Sequence, residues 1–215
     1  MRLPAAALLF VAGLAGAQVP PDEAQLRRYT GLHRAAADGK IGDTPPGQVD
    51  VRDSHGRTPL HVAAYRHQHA AMRALVAAGA NPNALEDDRY DIVTIAAVAN
   101  DLPTLRLALE LGASASNITS RYDGTALIAA AHLGHAEVVR VLIRAGAPLD
   151  HVNNLGWTAL MESVVLGDGG PRHVETLRAL LEAGADRSIG DSRAVTPLQH
   201  ARQRGYEEMS KLLQK

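Results

Sequence analysis

From residue 30 onward, short runs of small apolar residues return at nearly constant intervals, each opened by a hydroxyl or acidic residue. Thr58-Pro59-Leu60-His61-Val62-Ala63-Ala64 recurs as Thr125-Ala126-Leu127-Ile128-Ala129-Ala130-Ala131, as Thr158-Ala159-Leu160-Met161-Glu162-Ser163 and as Thr196-Pro197-Leu198-Gln199-His200-Ala201. A divergent copy is Asp91-Ile92-Val93-Thr94-Ile95-Ala96-Ala97, and a first one is Thr30-Gly31-Leu32-His33-Arg34-Ala35-Ala36. The copies start at 30, 58, 91, 125, 158 and 196, so the spacings are 28, 33, 34, 33 and 38 residues. A second apolar run follows in four of them and stops at Gly79, Gly112, Gly146 or Gly184. A Thr hydroxyl caps the unpaired N–H groups of a starting helix, and Pro59 and Pro197 fall where a missing N–H does no harm. A closing Gly supplies a left-handed C-terminal residue. Each copy therefore predicts two short helices. No such pair buries its apolar side alone, so neighbouring copies must stack, paired alanines allowing close approach and Leu60, Leu127, Leu160 and Leu198 filling the space between.

These residues resemble the ankyrin repeat family, whose unit of about 33 residues carries a T-P-L-H-x-A signature. Gly134-His135-Ala136-Glu137-Val138-Val139 is similar to the family's start of the second helix. The resemblance implies an all-α solenoid of helix-turn-helix units joined by β-turn fingers. Its expected organisation is a linker and truncated capping repeat at 18–52, repeats at 53–83, 84–116 (degenerate), 117–150 and 151–186, and a C-terminal cap at 187–215. After Gly39 the first copy runs into Ile41-Gly42-Asp43-Thr44-Pro45-Pro46-Gly47, too rich in breakers for a full second helix. The last copy ends in Tyr206–Lys215, a helix with a charged outer face, as a soluble solenoid requires. The wide spacing between 158 and 196 reflects five extra residues near Asp168-Gly169-Gly170-Pro171-Arg172, expected to lengthen the loop between that repeat's helices.

Composition agrees with a core of small aliphatic side chains. Of 215 residues, 38 are Ala and 3% are aromatic, which favours stacked helices over an aromatic-rich sandwich. With no Cys, disulfides, thiol catalysis and Cys-ligated zinc are excluded. Lys+Arg of 22 against Asp+Glu of 23 leaves no global basic field for nucleic acid. The start differs from the rest. Met1-Arg2, an apolar run from Leu3 to Leu14 and Ala15-Gly16-Ala17 form the three parts of a secretory signal peptide at 1–17, predicting cleavage after Ala17 and a periplasmic or secreted product. The run is too short to span a bilayer, so no stable membrane insertion is expected.

Candidate chemistry is sparse. His61 and His33 occupy the family's signature position, where an imidazole ties neighbouring turns together. His67 and His69 lie close in sequence, but no carboxylate or third His stands at ligand spacing with them, so no metal or other cofactor is expected. Glu86, Asp87, Asp88 and Asp91 form an acidic cluster, expected to be a solvated finger. No G-x-S-x-G, phosphate-cradling loop or H-E-x-x-H follows the leader, and no enzyme is expected.

What the resemblance offers is a concave face, built from finger tips and the exposed sides of the first helices. On the family pattern these are Ser54, His55, Arg57, Asp87, Asp88, Tyr90, Arg121, Tyr122, Asn154, Leu155, Trp157 and Arg193, with the pairs Tyr65-Arg66, Val98-Ala99, His132-Leu133 and Val165-Leu166. Tyr, Trp and Arg are enriched in binding hot spots, and the one Trp and three of the five Tyr fall on this face. The candidate partner-binding residues are Arg57, Tyr65, Arg66, Tyr90, Tyr122, His132 and Trp157. Trp157 has a structural alternative as a cover on the neighbouring finger, and Tyr65 one as packing onto Arg34 or Val98. The expected activity is that of a monomeric, exported scaffold for a protein partner. Arg121-Tyr122-Asp123-Gly124-Thr125 and the Gly167–His173 insertion resemble exported bacterial ankyrin proteins of this size. That resemblance implies a periplasmic binding or maintenance factor, in some members linked to catalase and peroxide defence; an effector that binds a host protein is a further alternative.

Overall fold

The computed structural model describes residues 19–42 and 48–215. The expected leader, 1–17, lies outside the described residues, as does most of the breaker-rich stretch after Gly42. Twelve helices and no strand occur among the described residues, apart from an isolated bridge between Thr119 and Gly124. The chain divides into two compact units, Gln18–Ser114 and Ala115–Lys215.

The unit Gln18–Ser114 holds α1 (Glu23–Arg28), α2 (Gly31–Ala37), α3 (Pro59–Tyr65), α4 (His69–Ala77), α5 (Ile92–Val98) and α6 (Leu102–Glu110). First helices α2, α3 and α5 lie side by side, and α4 and α6 each pack against the first helix of their own repeat. Helices this short are marginal alone, so burial against neighbours holds them. Leu60, Met72, Leu75, Ile92, Ile95 and Leu105 are fully buried in this unit, with Ala36, Ala63 and Ala97 at the close helix contacts.

The unit Ala115–Lys215 repeats the plan with α7 (Ala126–His132), α8 (Ala136–Arg144), α9 (Ala159–Val165), α10 (Pro171–Glu182), α11 (Pro197–Gln203) and α12 (Glu207–Gln214). First helices α7, α9 and α11 form one row, and second helices α8, α10 and α12 the other. Leu127, Leu142, Leu160, Met161 and Leu177 are its fully buried large side chains.

The caps form as the residue types require. Thr58, Thr125, Thr158 and Thr196 accept from the backbone N–H three residues on, at 3.1–3.4 Å, and Asp91 does the same at 2.7 Å. Thr30 makes no such bond. The helix ends are equally regular: the N–H of Gly79 reaches the Val76 carbonyl and that of Ala80 the Leu75 carbonyl, with Gly79 at φ 97°.

Two elements depart from the expected layout. Helix α1 falls in the segment read as a linker. Its signature was present: Asp22 accepts from the Gln25 N–H at 2.7 Å while Gln25 accepts from the Asp22 N–H at 3.0 Å, a reciprocal capping box. The insertion also divides differently. The other internal repeats use three residues between helices and nine in the second helix, whereas here Leu166–Gly170 connects and α10 has twelve. Two of the five extra residues lengthen the loop and three extend the helix, because Pro171 is well placed in a first turn.

Candidate functional site

The cap motif fixes where each turn can point. His61 Nδ1 accepts from the Thr58 N–H at 3.1 Å, so its Nε2 carries the proton and donates to the Tyr90 carbonyl of the next repeat at 3.2 Å. His33 reaches the Arg57 carbonyl at 2.9 Å in the same way. Burial holds the His61 imidazole down to about 4, keeping it neutral. Between adjacent turns, the Asp87 N–H donates to the His55 carbonyl at 3.1 Å, and the Asn154 N–H to the Tyr122 carbonyl at 3.0 Å.

Two of the expected partner-binding residues are interior. Arg57 is 1% exposed. Its Nε donates to Asp53 at 2.8 Å, and its other nitrogens to the Val19 carbonyl and Gln25 Oε1, so the guanidinium clamps the N-terminal segment. Burial pushes the Asp53 carboxyl up, but bonds from Tyr29, two backbone amides and Arg57 outweigh it and leave Asp53 at about 2. Tyr90 is 5% exposed, with its N–H on Glu86 Oε1 and its carbonyl on His61. Both precede a cap residue, as half-buried Trp157 does, so the position alone does not bury them: the N-terminal segment covers Arg57, and Tyr90 is held among its turn's own bonds. Val165, expected on the exposed side of its helix, is buried as well.

The acidic cluster is also only half solvated. Asp91 caps α5 and Glu86 holds its own turn; both are buried, and burial pushes the Glu86 carboxyl up. His67 and His69 do not converge. His67 meets Asp101 at 2.5 Å and His69 the Thr104 hydroxyl at 2.8 Å, so each ties one repeat to the next. Among the described residues no three His, Asp or Glu side chains gather in a way that could hold a metal ion.

The remaining candidates stay at the surface. In the unit Gln18–Ser114, Tyr65 is half-buried at the end of α3, its hydroxyl has no protein partner among the described residues, and burial raises it. Arg66 beside it is exposed. In the unit Ala115–Lys215, Tyr122 and Trp157 are half-buried on adjacent turns. The Asn153 carboxamide oxygen accepts from the Trp157 and Leu155 N–H groups at 3.0 and 3.1 Å, shaping the turn under the indole.

His132 closes α7 and donates from Nδ1 to Glu162 Oε2 at 3.3 Å, while Asn153 Nδ2 donates to Glu162 Oε1 at 2.9 Å. Glu162 is 4% exposed and burial pushes its carboxyl up. His173 Nε2 donates to the His132 carbonyl at 2.9 Å, and its Nδ1 meets Asp168 at 2.8 Å. A single polar network thus joins the Trp157 turn, His132 and the inserted loop. Sequence reading passed over its centre, although the signal was present: Glu162 stands where the equivalent positions hold Val62 and Ile95.

Comparisons with known proteins agree with this architecture. A family model described as ankyrin repeats (3 copies) matches residues 93–191, and a single ankyrin repeat model matches residues 55–87. The chain is 33% identical over 166 residues to the ankyrin repeat protein YahD of Escherichia coli (strain K12), covering 77% of this chain and 82% of that protein. A solved ankyrin repeat domain from Acinetobacter baumannii AYE superposes with a TM-score of 0.78 at 43% identity, over 85% of this chain and 95% of that one. The ankyrin repeat protein EF0377 gives a TM-score of 0.73 at 30% identity, over 100% and 99% of the two chains. No helix among the described residues is long and apolar enough to cross a membrane. The chain belongs to the ankyrin repeat family.

Proposed function

We propose that the protein is a non-enzymatic binding module that engages a protein partner through the first-helix and finger-tip surface of its repeats. The anchors are Tyr65 and Arg66 in the unit Gln18–Ser114, and Tyr122, His132 and Trp157 in the unit Ala115–Lys215. One observation carries this reading. Amphipathic aromatic side chains sit half-buried on rigid helix ends and turns, and neither the Tyr65 hydroxyl nor the Trp157 indole N–H has a protein partner among the described residues. Such residues present large contact area at little ordering cost and keep a polar handle for the partner. Their supports are already held by caps and turn bonds, so little is left to order on binding.

We further propose that the partner is met outside the cytoplasm, in the periplasm, on the strength of the three-part pattern over residues 1–17. The protein acts there as a monomer. Intact mass of the protein recovered from a periplasmic fraction begins at Gln18 on this proposal; a cytoplasmic product retaining Met1 contradicts it. For the binding face, crosslinked capture from the same fraction is compared for the parent, Tyr65→Ala and Trp157→Ala proteins, after equal helicity and melting are established. Loss of the captured partner in either variant supports the face, and equal capture by all three overturns it.

A further inference from the structure

One groove in the unit Gln18–Ser114 brings together side chains that no sequence pattern connects. Helix α1 lies beside the end of α2, and the space between them and the end of α3 is a cavity of 190 Å³ lined by Glu23, Leu26, Arg27, Arg34, Asp38 and Arg66, among others. Three arginines from three separate elements meet two acids there. Arg34 is already committed: its Nε pairs with Asp38 at 2.7 Å and its NH1 donates to the Leu26 carbonyl at 3.3 Å. Arg27 and Arg66 have no carboxylate within ion-pair distance among the described residues, and both are exposed. The lining is thus left with two open guanidinium forks against Glu23 alone, a local positive spot on a chain of formal net charge −1. Its volume falls below the roughly 300–1,000 Å³ of a drug-sized ligand site, and suits one or two carboxylate groups with their water.

We propose that this groove docks an acidic peptide segment of the protein partner, a Glu or Asp carboxylate entering between Arg27 and Arg66. Guanidinium forks match a carboxylate with two parallel N–H bonds, which an ammonium does not. The proposal rests on the reading that the chain binds a protein, and it places the partner's acidic stretch next to Tyr65, which precedes Arg66 at the end of α3.

The test uses full-length protein and fluorescein-labelled hexaglutamate, with binding read by fluorescence anisotropy at low salt. The parent binds hexaglutamate and not hexaglutamine, and the affinity falls as salt screens the pair. Arg27→Ala with Arg66→Ala weakens hexaglutamate about tenfold, whereas Arg106→Ala, on the exposed side of α6, leaves it unchanged. Both changes are at exposed positions, and matching melting curves check that the variants are folded. Absence of binding by the parent at about 1 mM peptide, or equal binding by the Arg27→Ala/Arg66→Ala protein, overturns the proposal. So does competition by inorganic phosphate at the concentration at which hexaglutamate binds, since that marks a phosphate site. None of these failures touches Tyr65 and Trp157 as anchors, which are read by capture of the partner itself.

Discussion

A buried imidazole and an interior ion pair show how differently polar side chains are used along this chain. His61 is held neutral by burial, down to about 4. In the unfolded chain the same imidazole takes its proton near 6.5. Between those two values the unfolded state binds more protons than the folded one, so stability falls as pH drops from 6.5 toward 4. Up to about 3 kcal/mol is at stake if the full shift is expressed. His61→Gln is expected to flatten that slope, because Gln199 already fills the same position in the last repeat and accepts from the Thr196 N–H at 2.8 Å. Urea unfolding of both proteins at pH 7 and pH 5 measures the effect; equal slopes contradict it.

Arg57 makes the opposite case to the surface arginines. Replacing it by Ala leaves Asp53 buried without its cation, although Tyr29 still donates to it at 2.6 Å. A loss of about 2–4 kcal/mol is expected from urea titration, with any fall in partner capture following the unfolded fraction. A change below about 0.5 kcal/mol contradicts the clamp.

The elements were legible wherever local chemistry set them. Six copies of one cap motif and four closing glycines placed ten of the twelve helices within a few residues. What was not legible depended on tertiary placement. Helix α1 carries a capping box but no repeat pattern, and the inserted residues were divided between loop and helix by where Pro171 fell. The repeats also share a strained backbone position. Two residues before each of the last five caps the chain is left-handed, with φ of 67° at Gly56, 65° at Arg89, 51° at Asp123, 81° at Gly156 and 59° at Ala194. Two copies use Gly there, and Ala194 has neither the freedom of Gly nor the polar side chain of Asp. A left-handed L-residue costs about 1–2 kcal/mol, offset in part by the backbone entropy of Gly. Ala194→Gly is therefore expected to stabilise the unit Ala115–Lys215 by about 0.5–1 kcal/mol, against the usual direction of a glycine substitution. Trp157, the only Trp, lies in that unit and its fluorescence reports the unfolding midpoint. A lowered midpoint contradicts the assignment of strain.

For the molecule as a whole, the architecture followed from the sequence because repetition averages out local exceptions: Asp91 replaces Thr as a cap and Thr94 replaces His, yet α5 forms as its neighbours do. The candidate face was read less completely. The family pattern placed Tyr65, Arg66, Tyr122, His132 and Trp157 at positions that are at least partly accessible, and it also placed Arg57 and Tyr90 there, which are interior. Position in a repeat fixes the backbone, while burial of a side chain depends on what packs over it: here Val19 and Gln25 of the N-terminal segment over Arg57. The buried Glu162 that joins His132 to the Trp157 turn shows in the sequence only as a charge in an apolar column, and the arginine groove beside α1 depends on the fold bringing Arg66 next to Arg27. The proposed function requires that the first-helix and finger surface meets the partner. Site-specific photo-crosslinking in living cells tests it most directly, with benzoylphenylalanine in place of Trp157 in one strain and of Ala145, exposed at the end of the second helix α8, in another. An adduct of one defined mass is expected from position 157 and none from position 145. Adducts of the same mass and yield from both positions, or from 145 alone, contradict it.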